Sequence, residues 1–546
     1  VNSWGREIPW QSRLTDEVNG VEDTGTFLSR DPVLGNQSVH GPSAGPGLFV
    51  GSMKKGPRRS DLPAVAVGKD AWGVEALEMT RQARRELQDS IAPRRDRWIE
   101  RNRYYYGRIE RLLRFIIEPR KRVLDVRCQT GGLLAAVEPS FGVGVEISQK
   151  LVEVAKKDHP DLNFVCANPE DLNIGEKFDY IVFGQIFDTV DILAALKRVH
   201  VHCTQDTRLL IINYNQLWEP ALELASSLGL RSPYVEPNWV NSEDVNRFLV
   251  LSGFTPLRTH RILLFPKYIP LVSAFLNEFL AKLPLLRRLC MIQVTVARLR
   301  PVGHDENEVS VSVIVPCRNE KGNIQAAIER IPQMGKHTEI IFCDDKSTDG
   351  TADEVRRMQG LYPERDIRLL EGPGICKAEN VWTGFRGAKG DILMILDADL
   401  TVMPEELPRF LEVLAGNTGE FVNGSRLVYP VPKTAMKFFN QAGNRVFGVV
   451  FSYLLNQRFK DTLCGTKVLW RKDWLRIEKG LGGWGIRDLW GDYELIFGAS
   501  KLHLEIVEMP VHYQERIYGV TKMTRVFWNG VRMLRICHSA WQRLHG

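Results

Sequence analysis

Two aspartates, Asp397 and Asp399, close the run GDILMILDADL. Carboxylates spaced i, i+2 at the end of an apolar strand suit a hard divalent cation, Mg²⁺ or Mn²⁺, that bridges diphosphate oxygens. Such a cation keeps several waters, needs only one or two protein carboxylates, and neutralises a diphosphate as it leaves. A lone Asp-x-Asp arises by chance at surface turns. Here it follows the buried-strand pattern ILMIL, and an earlier run, EIIFCDD, also ends in acids, Asp344 and Asp345. Further along, GDYELIFGA supplies Asp492 and Glu494. Asp492 is the candidate catalytic base if the acceptor is a hydroxyl, whereas an ionised phosphate acceptor needs none. The competing role for Asp492 is that of a helix-start acid satisfying free backbone N–H groups.

A second constellation lies in the first half of the chain. VLDV ends near Asp125, RCQTGG follows as a turn, and GVGVEIS ends the next strand at Glu146. A strand, a glycine-bearing turn and a helix hold nucleotide-like cofactors, because glycine lets the backbone approach the ligand and the second acid takes ribose hydroxyls. Asp125, Gly131 and Glu146 are therefore the candidate cofactor residues.

These groups require elements to carry them. From Arg122 the strand patterns RVLDV, GVGVEI, NFVCA, FDYIVFG and RLLIINY alternate with helical segments, and a second alternating set starts at Val309 with VSVSVIVPC, EIIFCDD, IRLLEG and DILMILDAD. Alternation of this kind predicts parallel sheets covered by helices, with ligands at the carboxyl ends of the strands. HDENE, after the last apolar run of the first set, places a boundary near residue 305. The expected organisation is a Gly/Pro/Ser/Asn-rich disordered tail over residues 1–75, a Rossmann-like domain over 76–304 and a second α/β domain over 305–546.

Composition agrees with this division. A chain of 546 residues exceeds one hydrophobic core, and 44% hydrophobic with 25% charged residues is ordinary for a globular protein. A net charge of +6 permits an anionic partner without demanding one. The arginines of RDRWIERNRYYYGRIERLLRFI read as a solvated helix face, so no nucleic-acid partner is expected. Nine scattered cysteines without a CxxC pair read as reduced thiols of a cytoplasmic protein and give a zinc site no support. The longest apolar stretch, 262–289, is interrupted by Pro266, Pro270 and Pro284 and falls short of a membrane span.

Residues 95–300 resemble the class I S-adenosylmethionine-dependent methyltransferases. That family's first motif reads as an acid followed by three alternating glycines, and here the series is Asp125, Arg127, Gln129, Gly131. Long side chains at two glycine positions would fill the cofactor's space or adopt backbone angles that only glycine tolerates cheaply. The resemblance thus implies the fold, with S-adenosylmethionine binding opposed by Arg127 and Gln129, and the expectation is a degenerate or altered methyltransferase domain.

Residues 310–525 resemble the family 2 glycosyltransferases of GT-A fold, in particular the branch with dolichyl-phosphate mannose synthase and other polyprenyl-phosphate sugar transferases. The resemblance implies that Pro316, Asn319 and Glu320, with Asp344 and Asp345, hold the nucleoside of a nucleotide-sugar donor. It places Lys377 near the phosphates, although GPGICKAEN lacks the glycine usual after that lysine, and Asp397 and Asp399 at the metal. Arg426 in NGSR and the segment DTLCGTKV are further matches, and Arg516 and Lys522, flanking Gly519, would close over donor and acceptor phosphates.

The expectation is metal-dependent, inverting transfer of a sugar from a GDP- or UDP-sugar, with a polyprenyl phosphate as favoured acceptor. The terminal VFWNGVRMLRICHSAWQRLHG mixes apolar and basic residues at helical spacing, compatible with a peripheral membrane surface or with ordinary helix packing. Two rivals stand beside this reading. One is a soluble glycosyltransferase acting on a glycan or natural product with an active methyltransferase domain; the other is a catalytically silent scaffold.

Overall fold

The computed structural model describes residues 74–228, 238–429, 438–485, 488–516, 518 and 526–544. The tail expected over residues 1–75 falls almost wholly outside these residues, as do Gly519 and Lys522.

Two seven-stranded sheets organise the chain. The first contains β1 (Arg122–Val126), β2 (Phe141–Glu146), β3 (Asn163–Cys166), β4 (Phe178–Phe183), β5 (Cys203–Tyr214), β6 (Phe254–Ile262) and β7 (Ile292–Leu299), in the spatial order β3-β2-β1-β4-β5-β7-β6. Five strands run parallel, and β7 lies antiparallel between β5 and β6. The second contains β8 (Ser310–Cys317), β9 (His337–Asp344), β10 (Asp366–Glu371), β11 (Ile392–Ile395), β12 (Phe421–Ser425), β13 (Lys467–Trp470) and β14 (Ile506–Pro510), ordered β10-β9-β8-β11-β13-β12-β14. Here β13 is antiparallel to both β11 and β12. This is the two-domain α/β architecture expected, with mixed rather than purely parallel sheets.

The strands form where apolar runs are long enough to be covered on both faces. Every residue of Ile392–Ile395 is buried, as is every residue of β7. Helices follow where the apolar period lengthens. Arg103–Ile116 buries Ile109, Leu112, Leu113 and Ile116 along one stripe, each such side chain contributing about 1.5–3 kcal/mol when fully removed from water. Side-chain caps start several of them: Ser148 accepts from the Leu151 N–H and Asp191 from the Ala194 N–H.

Strands β6, β7, β12, β13 and β14 were not evident from the sequence. β6 carries Thr255, Pro256, Arg258, Thr259, His260 and Arg261, which breaks the apolar pattern. The reason is that β5, β6 and β7 direct arginines at the second sheet. Arg208 of β5 donates to Glu420 at 2.7 Å and to the His503 carbonyl at 3.2 Å. Arg298 of β7 donates to the Asn417 side chain and carbonyl and to Glu505, at 3.0, 2.8 and 2.5 Å. Arg258 donates to the Ser500 carbonyl and hydroxyl at 3.0 and 2.6 Å. Burial works against the charge of Glu420, yet Arg208 and Arg298 outweigh it and hold the carboxyl below its ordinary range. Glu420 and Glu505 immediately precede β12 and β14, so the first domain grips the second at the base of two of its strands.

Candidate functional site

In the second domain the sequence-predicted acids gather at the carboxyl edge of β8, β9 and β11. Asp344 ends β9; one of its oxygens accepts the Ser347 N–H at 3.2 Å, and the other is buried without a hydrogen-bond partner. Asp345 is fully buried, accepting from the Gly374 N–H at 2.6 Å and from Arg318 at 3.1 Å. Burial nevertheless pushes its carboxyl above the ordinary range. Pro316 lies in β8, and the turn after it is bound to the loop after β9. Asn319, at φ 53°, donates its N–H to Ser347 and accepts from the Thr348 N–H, both at 2.8 Å. The Glu320 N–H donates to Thr351 at 3.0 Å.

Asp397 and Asp399 follow β11 and remain partly open to solvent. Asp397 pairs with Lys377, the first residue of the helix Lys377–Gly387. Burial opposes ionisation of Asp397, but the ammonium of Lys377 outweighs it and holds the carboxyl below its usual range. Burial likewise opposes the charge of Lys377, while Asp397 and then Asp492 raise its pKa. The backbone of Gly465 lies against Asp397: a Cβ there would fall 2.2 Å from a carboxylate oxygen. Asp399 accepts from Thr401 and from Arg516, the latter at 2.5 Å. Arg516 is brought across by the 511–516 segment, where Val402 bridges Tyr513 and the Gln514 N–H donates to the Thr401 carbonyl at 2.8 Å. Arg516 also reaches Glu320 at 3.5 Å, which links the β8 turn to the β11 acids.

Asp492 opens the helix Asp492–Lys501 and pairs at 2.5 Å with Lys467 of β13, a lysine with no solvent exposure. The capping role considered for Asp492 belongs instead to Asp488, which accepts the N–H groups of Tyr493 and Glu494 at 2.7 and 3.2 Å. Arg426 is held by both oxygens of Asp461 at 2.8 and 2.9 Å and lies 5.2 Å over the Tyr513 ring. Burial opposes ionisation of Asp461, but Arg426 brings it down to about 2. Asp461, Gly465 and Lys467 lie in the DTLCGTKV segment singled out from the sequence without individual roles, and Asp488 was missed. A lone lysine inside GTKVLW, between apolar residues, was the available signal for a buried cation.

Two carboxylates open to solvent make a donor set that fits a hard divalent cation drawing its remaining ligands from diphosphate and water. Among the described residues no group of three or more His, Cys, Asp or Glu is placed to hold a metal ion.

The first domain's constellation is arranged differently. Arg127, Gln129 and Gly131 have φ values of 67°, 54° and 79°, so the loop keeps a glycine-type backbone while carrying long side chains at two of the three positions. Arg127 turns inward and pairs with Glu146 at 2.5 Å and with Asp188. Burial opposes its charge, but Glu146 and Asp188 hold the guanidinium pKa above its usual value. Glu146 also accepts the N–H groups of Ile147 and Gln129 at 2.7 and 3.0 Å, which occupies both oxygens. Gln129 accepts from Arg95. Asp125 is buried with neither oxygen hydrogen-bonded, and burial followed by the charge of Glu146 raises its pKa well above the carboxylate range. The residues therefore do not fit S-adenosylmethionine: both oxygens of Glu146, the candidate ribose acid, are engaged from within, and the Arg127 guanidinium is buried against it.

Comparison with known proteins finds a match within each half. Residues 312–475 match the family model described as Glycosyl transferase family 2, and residues 123–206 match the one described as Methyltransferase domain. The first sheet's region thus resembles a methyltransferase domain and the second sheet's region a family 2 glycosyltransferase. It is 35% identical over 122 residues to a dolichol-phosphate mannosyltransferase of Pyrococcus furiosus, covering 22% of this chain and 34% of that protein. It is 32% identical over 150 residues to an undecaprenyl-phosphate 4-deoxy-4-formamido-L-arabinose transferase of Aeromonas hydrophila subsp. hydrophila, covering 26% of this chain and 45% of that protein. The chain spans less than half the length of either relative. Among solved structures it is similar to a SAM-dependent methyltransferase of Thermotoga maritima, with 14% identity, 40% of this chain and 99% of that chain covered, and a TM-score of 0.32.

Proposed function

We propose that residues 305–546 transfer a hexose from a nucleoside diphosphate sugar to a polyprenyl phosphate, with a divalent cation bound by Asp397 and Asp399. The observation carrying this reading is that pair of acids at the end of β11, each facing a cation from a different element and each still reachable from solvent. The relatives' named substrates, dolichol phosphate and undecaprenyl phosphate, support the acceptor class.

In this reading Pro316, Asn319, Glu320, Asp344 and Asp345 receive the nucleoside. The bound cation would neutralise the diphosphate as it departs. Lys377 exchanges Asp397 for a phosphate oxygen, and Arg516 exchanges Asp399 for a donor or acceptor phosphate, as a guanidinium at a partly exposed edge is able to do. Lys522 would join it. Because the acceptor phosphate is already ionised, Asp492 serves as the buried partner of Lys467 that orients Lys377, and Arg426 is a positioning residue held by Asp461. The first domain, whose cofactor seat is filled by its own side chains, acts without S-adenosylmethionine. A lipid acceptor also implies work at a membrane surface. Among the described residues no helix is long and apolar enough to cross one.

The test is calorimetric titration of the full chain with GDP and UDP, with and without Mn²⁺, repeated on Asp399→Ala. Metal-dependent binding of one nucleotide that disappears in the variant is expected. Binding of neither nucleotide would sink the transferase reading and favour a scaffold.

A further inference from the structure

Between β6 and β7 the chain passes Pro266, Pro270 and Pro284 and forms only short helical turns, Val272–Ala274, Phe275–Phe279, Leu280–Lys282 and Leu286–Leu289. Its polarity is inside out. Ser273 and Asn277 are buried, and Asn277 donates to the Phe265 carbonyl and the Tyr104 hydroxyl at 2.7 and 3.0 Å. The apolar side chains point outward: Leu271 is 87% exposed, Leu285 77%, Phe275 56% and Phe279 49%. The Phe275 and Phe279 rings stack with centroids 5.8 Å apart. Polar anchors thus hold the segment while its hydrophobic side chains face water, the reverse of what burial favours.

The same segment forms one wall of a cleft between the two domains. Arg258, Arg261, Lys282 and Arg287 line it, with Leu454 and Leu455 opposite, and no acid lines it among the described residues. Glu278, outside the lining, is engaged by Arg108, Arg111 and Lys282. Arg258 is buried, and its Nε has no partner. Burial, then the neighbouring Arg208, lowers Arg258 to about 10, and burial followed by Arg287 lowers Arg261. Cations crowded in this way gain from an anion that none of the lining groups supplies.

We propose that this face docks on a bilayer containing anionic phospholipid, with the apolar side chains of residues 268–289 entering the interface and a lipid phosphate seated among Arg258, Arg261, Lys282 and Arg287. An apolar edge beside a basic cleft is complementary to such a surface in both hydrophobicity and charge. The inference rests on the proposed work at a membrane, but assigns the contact to the first domain. The terminal helix Val526–Leu544 does not offer its whole apolar surface, since Met533, Ile536, Cys537, Ala540 and Leu544 are buried.

Flotation of the full chain with phosphatidylcholine vesicles, with and without phosphatidylglycerol, tests it. Binding to the anionic vesicles is expected, weaker by at least about tenfold on neutral vesicles or in high salt. Leu271→Ser/Phe275→Ser and Arg261→Ala/Arg287→Ala should each weaken it at least about tenfold. Their circular dichroism, melting temperature and Mn²⁺-dependent nucleotide binding should stay unchanged. Binding to neither vesicle, or equal binding by both variants, overturns the proposal. So does a dimer in sedimentation that Leu271→Ser/Phe275→Ser disperses, because a second copy would then be the occupant. Vesicle binding without sugar transfer supports the docking face and counts against the transferase reading; transfer to a detergent-dispersed acceptor without vesicle binding does the reverse.

Discussion

The two sheets each deliver acids to the carboxyl ends of their strands, yet they treat those acids in opposite ways. In the first domain the Arg127 and Glu146 side chains are each 1% exposed, and the pair is engaged further by the backbone N–H groups of Gln129 and Ile147 and by Asp188. In the second, Lys377 and Asp397 are 28% and 30% exposed, and Arg516 and Asp399 are 22% and 16% exposed. A strand-end carboxylate is a binding group only if its counter-charge can be exchanged for a ligand's. A buried pair has no such exchange available, because separating it leaves two desolvated charges. The first domain ties its strand-end acid Glu146 into an internal ion network, while the second keeps two pairs, Lys377–Asp397 and Arg516–Asp399, partly exposed beside the buried pairs Lys467–Asp492 and Arg426–Asp461.

The largest expected effect breaks the closed network. Arg127→Ala leaves the buried Glu146 without its cation and Asp188 with Arg84 as its remaining cation, and should destabilise the chain by about 3–5 kcal/mol in urea unfolding. Arg127→Gly/Gln129→Gly restores the glycines. Calorimetry should detect no S-adenosylmethionine binding by the parent chain, and binding by the parent would undo the contrast between the domains.

At the open site, Asp399→Ala should lower sugar transfer by at least about a hundredfold with little change in melting temperature. Asp492→Asn sharpens its chemistry. With a phosphate acceptor, turnover should stay within about tenfold of the parent, whereas a loss of about 10²–10⁴-fold would make Asp492 a general base.

The interface between the domains supplies a pH test. His503 is buried beside His260, Arg258 and Arg208, and burial followed by those charges lowers its pKa well below 6.5. The unfolded chain therefore binds a proton below pH 6.5 that the folded chain refuses. Stability from His503 is complete above that pH and falls by about 1.4 kcal/mol per unit beneath it. Denaturant midpoints measured downward from neutrality should show this slope, and His503→Gln should flatten it. The smallest effect is Asp125→Asn. Asp125 is raised in the fold, so its cost appears as pH rises above the unfolded value near 3.8, and the amide should stabilise the chain at neutral pH but not below that value.

Much of this was legible in the residues. Apolar runs alternating with helical segments located β1 to β5 and β8 to β11, because strands covered on both faces must be apolar throughout. The series Asp125, Arg127, Gln129, Gly131 also announced a loop in conflict with its side chains, and all three positive φ values are present. Strands β6, β7 and β12 to β14 were not legible, since polar residues on them, such as Arg258, Arg298 and Lys467, serve contacts with distant parts of the chain. Arg258 looks like a surface charge until Ser500 is placed against it, 242 residues away.

Local sequence thus determined the two α/β frameworks and the acids at their edges, since side-chain period and backbone preference act over a few residues. Which acids stay available was decided only by the tertiary structure. Pairing Arg127 with Glu146 and Asp188, Lys467 with Asp492, and Arg516 with Asp399 joins residues between 19 and 117 positions apart. The worth of each pair depends on how much water the surrounding fold leaves around it.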